Sequence, residues 1–199
     1  MKAWNPIHPA TAPQTPGDTT GPSGAAREIF EWLEVIVLCL VSVILISTVL
    51  IRPAGVVGQS MEPTLYNGDR LLVTSFFYQP KAGDIVVISQ QDDVQEHLVK
   101  RVIATEGQTV DIDFEKGEVY VDGVLLQEDY IKEKTYRQFP GSSGITFPAT
   151  VPEGHVFVLG DNRNESKDSR HSDIGMVDTK YILGKVVFRI YPFNRIGAL

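Results

Sequence analysis

"EHLVKRVIAT", residues 96–105, is rich in Val, Leu and Ile, holds no Gly or Pro, and reads as a β-strand. Alternate side chains of a strand face the same side, so Leu98, Lys100, Val102 and Ala104 share one face while His97, Val99 and Arg101 share the other. A lysine thus points into an apolar face. Working outward, further short runs of β-branched and aromatic residues are set off by Gly, Pro, Asn and Asp turns: "RLLVTSF" (70–76), "DIVVIS" (84–89), "TVDID" (109–113), "EVYVDGVLL" (118–126), "HVFVLG" (155–160) and "GKVVFRIYP" (184–192). In the fourth of these runs Asp122 and Gly123 are the pair that a tight hairpin turn demands. The expected fold is mainly β. No internal repeat is visible, and no stretch has the length and period of a long soluble helix. Residues 105–150, with the glycine-rich "PGSSG" at 140–144, read as a smaller inserted β subdomain with a mobile loop.

Ahead of this β region lies "VIVLCLVSVILISTVLI", residues 35–51, without a single charge. At about 1.5 Å rise per residue, such a run matches the roughly 30 Å hydrocarbon core of a bilayer. Its apolar character goes all round the helix, which argues against a core helix with one wet face. Arg52 and Pro53 follow it where a cleavable signal would need small residues, so it reads as a retained anchor. Residues 1–24 hold five prolines among Thr and Gly and cannot bury enough to order themselves. The expected plan is a disordered tail over 1–27, a single transmembrane helix over 28–52 and a catalytic β domain over 53–199.

The 199 residues carry 43% apolar side chains and a net charge of −7, enough for an ordinary core. With no basic cluster to neutralise phosphates, a nucleic-acid partner is excluded. Cys39 is the only cysteine and sits in the apolar run, so neither an internal disulfide nor a cysteine metal cage is expected. No metal or cofactor is called for.

"GQSMEPTLYNGD", residues 58–69, places Ser60 in a tight turn, and a serine needs a base before it is a nucleophile. His8 lies in the tail, and His97, His155 and His171 have no carboxylate at a spacing that would orient them. Lys100 is the other candidate: burial among aliphatics can bring its pKa from about 10.4 to the 7 or 8 that a base requires. On spacing alone it could equally snorkel to solvent or pair with a carboxylate. A third segment, "GDNRNESKDSRHSDIG" (160–175), is a polar loop directly after an apolar strand, a position that often carries function and as often is only a solvated loop held by an ion pair.

"SMEPTL" (60–65), "KRVIA" (100–104) and "GDNRNESKDSR" (160–170), in that order, resemble the signature boxes of the type I signal peptidases, also called leader peptidases. With "AGDIVV" (82–87), "GMV" (175–177) and "GKVVFR" (184–189), the resemblance spans the chain from the apolar run to Pro192. It implies a membrane-bound serine endopeptidase with a Ser/Lys dyad, cutting signal peptides from secretory precursor proteins after a small-x-small motif. It further implies a catalytic domain outside the cytoplasm, held to the lipid bilayer of the cytoplasmic membrane. By position, Ser60 is similar to the nucleophile, Lys100 to the general base and Ser166 to the serine that orients the lysine. Asp168 and Arg170 are similar to the pair bracing the active-site loop, and Asp161, Asn162 and Arg163 belong to the same motif. The oxyanion hole falls to the Ser60 N–H and to Gly58, where many relatives carry a hydroxyl residue. The competing reading is a catalytically inactive tethered homologue that binds precursors or scaffolds other proteins, but an idle site has no need of Ser60, Lys100 and Ser166 together.

Overall fold

The computed structural model describes residues 24–75, 78–89, 97–139 and 143–199, without the side chains of 26 and 46–51. The tail up to residue 23 and the 140–142 part of "PGSSG" lie outside the described residues. The chain divides into two compact units, 1–44 and 45–199.

Helix α1 (Gly24–Leu50) starts in the first unit. Its large apolar side chains from Ile29 to Leu45 are all exposed, whichever way they point. Among the described residues no helix is long and apolar enough to cross a membrane. Glu28, Glu31 and Glu34 occupy the early turns, and the apolar run continues beyond Leu45, the last helix side chain described. The helix stops one residue before the run does: Ile51 and Arg52 begin strand β1 (Ile51–Gly55) and pair with Thr74 and Val73.

The second unit is built on two antiparallel sheets. The larger runs β1, β2 (Arg70–Thr74), β11 (Ile182–Tyr191), β3 (Ile85–Ser89), β4 (His97–Thr105), β9 (His155–Leu159), β10 (Val177–Asp178). β11 is long enough to serve two neighbours on one side: Ile182 to Lys185 pair with β3, while Phe188 and Arg189 pair with β12 (Gly197–Ala198). The smaller sheet, ordered β7 (Val124–Leu125), β6 (Glu118–Val121), β5 (Thr109–Asp113), β8 (Ala149–Thr150), comes from the chain between β4 and β9. Asp122 and Gly123 turn β6 into β7 with φ of 50° and 77°, as the Asp-Gly pair suggests.

The inserted sheet does not build a core of its own. Val110, Ile112, Val119 and Val121 from it pack in one cluster with Ile103, Ala104, Phe157 and Leu159 of the large sheet. A bulge in β4 makes this possible: between Val102 and Ala104 the register against β9 slips, leaving Ile103 as the extra residue. The slip moves Ala104 off the Lys100 face, where strict alternation puts it, and into contact with the Phe157 cluster. Leu98 and Val102 keep to the other side, against Val86, Val156 and Val158. A third cluster joins Val56, Met61 and Leu65 to β2, β3 and Val99, and so seats the turn that carries Ser60.

Phe157 is fully buried and meets Phe147 edge to face at 6.0 Å. Phe157→Ala should cost about 3–5 kcal/mol. Because the sheets share this cluster, urea melting followed by circular dichroism should shift as one transition, and separate melting of the two sheets would contradict a shared core.

Candidate active site

β4 brings Lys100 to the site. Its backbone partner is Val86 on β3, and its same-face neighbours are Leu98 and Val102. Only 2% of the lysine is exposed, and its Nζ lies 2.7 Å from the Ser60 Oγ. Burial pushes the amine down to about 8; Asp168 and Asp161 pull the other way, and Arg170 adds to the depression. Snorkelling and direct carboxylate pairing, both open on spacing alone, are not what the fold selects: the lysine's hydrogen-bond partner is a hydroxyl.

Ser60 is half-buried, at the start of a turn whose next residue, Met61, is anchored in the core. Leu65, fully buried, donates its N–H to the Met61 carbonyl, so two apolar plugs four residues apart lock the turn beneath the serine. Gly58 opens the turn with φ of 86°, in the left-handed region where glycine carries no steric penalty. Its N–H donates to the Asn67 side chain at 3.0 Å, while the Ser60 N–H donates to no group among the described residues.

The loop after β9 supplies the rest. Asn162 donates its backbone N–H to the Ser60 carbonyl (3.0 Å) and its Nδ2 to the Gln59 carbonyl (3.1 Å). Asp168 and Arg170 form a fully buried bidentate pair at 2.8 and 2.9 Å. Burial works against the Asp168 charge, but the Arg170 guanidinium and the Gly160 N–H more than offset it and hold the carboxyl below its usual range. The spare Arg170 donors reach the carbonyls of Arg163 and Arg137, fastening the loop to itself and to the segment before 140. Arg163 is buried too, bidentate to Glu128 and bonded to Thr135 Oγ1 and the Gly160 carbonyl. Ser166 is buried beside Gly160; its hydroxyl makes no hydrogen bond of normal geometry, and it favours the charged form of Asp168.

Lys100 and Asn162 thus meet the Ser60 turn directly, Asp161, Arg163, Ser166, Asp168 and Arg170 lie on the loop that Asn162 ties to it, and no hydrogen bond joins Ser166 to Lys100. Others were missed. Arg101, on the opposite face from Lys100, grips Asp161 with two bonds of 2.9 and 2.7 Å, and Thr64 donates to the same carboxylate at 2.6 Å. Tyr130 lies flat against the Arg101 guanidinium, 4.0 Å away. The "KR" dipeptide held the signal, since adjacent strand residues serve opposite faces. Gly160 was quoted without a role; a Cβ there would collide with the Ser166 hydroxyl and the Ser60 carbonyl. Two of the described histidines serve elsewhere: His155 contacts the Glu153 carbonyl and His171 meets Phe139 edge to face.

The chain has relatives among known proteins. The family model described as signal peptidase, peptidase S26, matches residues 29–191. The chain belongs to this signal peptidase family. It is similar to signal peptidase I of Bacillus licheniformis, at 38% identity over 85% of this chain and 92% of that protein. A probable signal peptidase I-1 of Synechocystis is 37% identical over 86% of this chain and 87% of its own length. In this S26 member, segments 60–65, 100–104 and 160–170 meet at the Ser60 turn, through contacts between residues 40 and 103 positions apart.

Two substitutions test the packing of the site. Gly160→Ala should destabilise by about 1–3 kcal/mol, because nothing between Ser60 and Ser166 can yield without moving one of them. Lys100→Met should stabilise the protein at pH 7 by up to roughly 3 kcal/mol. The sign follows from a folded pKa below the unfolded one: the unfolded chain binds more protons between about 8 and about 10.5, so wild-type stability rises across that window. Denaturant titrations at pH 7 and pH 11 should show the advantage of the methionine shrinking at the higher pH; an equal advantage at both would contradict a depressed lysine.

Proposed function

We propose that this chain is a membrane-anchored serine endopeptidase that removes signal peptides from exported precursors, with Ser60 as nucleophile and Lys100 as general base. The observation that carries the reading is the 2.7 Å contact between a buried amine and a half-buried serine's hydroxyl. A neutral amine accepts the hydroxyl proton as Ser60 Oγ attacks the scissile carbonyl. The charge that develops on the carbonyl oxygen is met by the Ser60 N–H, the donor left uncommitted in the turn. Gly58 contributes through its left-handed backbone, its own N–H being engaged by Asn67.

Lys100 then passes its proton to the leaving amine, which becomes the N-terminus of the mature protein. The signal peptide stays esterified to Ser60. Water, deprotonated by the same lysine, hydrolyses the ester and frees it. Substrate binds as an extended strand beside the site, with small side chains in shallow pockets, which fits cleavage after small-x-small. Ser166 makes no hydrogen bond to the lysine and acts on Asp168, whose charged form it favours; the Asp168–Arg170 and Asp161–Arg101 pairs hold the loop and β4 in register.

The anchor is the apolar run 35–51. Its support is a helix with exposed apolar side chains on every face, a surface that water does not tolerate and lipid does. The tail would then lie in the cytoplasm and the β domain outside it, at the cytoplasmic membrane. Tethering raises the effective concentration of a substrate that is itself threaded through the bilayer.

The full chain in detergent should cleave a secretory precursor, and Ser60→Ala and Lys100→Ala should each lower kcat by about 10⁴-fold or more. Because the base is the neutral amine, the wild-type rate should climb with pH and level off above about 8. Precursor binding without turnover, or a retained rate in the lysine variant, would overturn the reading.

A further inference from the structure

The Ser60 N–H and the Gln59 carbonyl belong to one peptide unit. That unit is trans, the cis bonds among the described residues being Glu62–Pro63, Phe147–Pro148 and Tyr191–Pro192. A trans peptide is planar, and its N–H and C=O point in opposite directions. Whatever holds the Gln59 oxygen therefore aims the Ser60 N–H. Two donors hold it: the Glu62 N–H at 3.1 Å, from within the turn, and Asn162 Nδ2 at 3.1 Å, from the loop after β9. The Asn162 backbone N–H takes the next carbonyl, that of Ser60, at 3.0 Å. One fully buried residue thus grips the peptide units on both sides of the nucleophile.

We infer that Asn162 is the positioning residue of the oxyanion donor: its side-chain amide fixes the direction of the Gln59–Ser60 peptide and polarises it. A carbonyl that accepts a second hydrogen bond strengthens the dipole of its own N–H. The amide orientation is dictated by its neighbour, since the reverse would set Oδ1 against the Gln59 oxygen. Oδ1 is buried and takes no hydrogen bond from any described residue. Asp161 and Arg163 on either side are engaged with Arg101 and with Glu128, so neither can replace it.

The inference rests on the peptidase reading, and its test separates the two. Full-length wild type, Asn162→Ala and the near-isosteric, uncharged Asn162→Leu are assayed on a precursor across pH. The substitutions should lower kcat by about tenfold or more, short of the roughly 10²–10³-fold that follows loss of an oxyanion donor itself, because Glu62 still holds the carbonyl. KM should stay within about twofold, and the rise of rate with pH should keep its midpoint, since the lysine is untouched. In the adduct of a peptide aldehyde with the enzyme, the Ser60 amide proton resonance should move upfield in both variants relative to wild type. Variants that keep the wild-type kcat, that lose activity through KM, or that shift the pH midpoint would overturn the assignment while leaving the peptidase intact. Should Asn162→Ala not fold, Asn162→Leu decides by the same readouts. A wild type that fails to cleave removes the peptidase reading instead.

Discussion

The site depends on a lysine that cannot keep its charge comfortably. An ammonium group buried among Leu98, Val102 and Val86 loses its hydration, and the fold supplies a hydroxyl rather than a carboxylate at contact distance. Had Asp168 or Asp161 touched the amine directly, the ion pair would have held it protonated. Both carboxylates are instead bound by arginines, Asp168 by Arg170 and Asp161 by Arg101; they still pull the amine toward its charged form, and burial outweighs them. Arg170 thus does two things at once: it braces the loop, and it favours loss of the amine's proton.

This arrangement places demands on the scaffold. Buried arginine pairs are costly unless every donor is met, and here the donors find carbonyls as well as carboxylates. The β4 strand carries the consequence, with Lys100 to one side and Arg101 to the other. Its bulge at Ile103 then turns the following residues toward the second sheet. One strand therefore ties together base, brace and shared core. The turn bearing Ser60 has no regular secondary structure to fix it, and relies on Met61 and Leu65 below and Asn162 alongside.

Much of this was legible. The runs at 109–113 and 155–160 match β5 and β9 to within a residue, because alternation and bounding turns are local signals. Lys100 was assigned its face by the same alternation. What local pattern could not show is pairing across the fold. β1 holds Pro53 and two small residues and looks like a linker; it is a strand because β2 offers it an edge, where proline is tolerated. The short strands β8, β10 and β12 are likewise defined by their partners. Ala104 was put on the wrong face because a bulge is a property of two strands. Arg101, Thr64 and Gly160 escaped notice for a similar reason: their roles are contacts with residues tens of positions away. The roles carried over by resemblance for Ser166, Asp168 and Arg170 concern positions that the fold does gather at the site.

The protonation state of one nitrogen carries the account. With the lysines isotopically labelled and Lys100 assigned by its absence in Lys100→Met, an NMR titration of the full chain in detergent reads that state directly. The account requires a midpoint near 8, well below that of the surface lysines. A Lys100 that titrates with them, near the ordinary value of about 10.4, would contradict it.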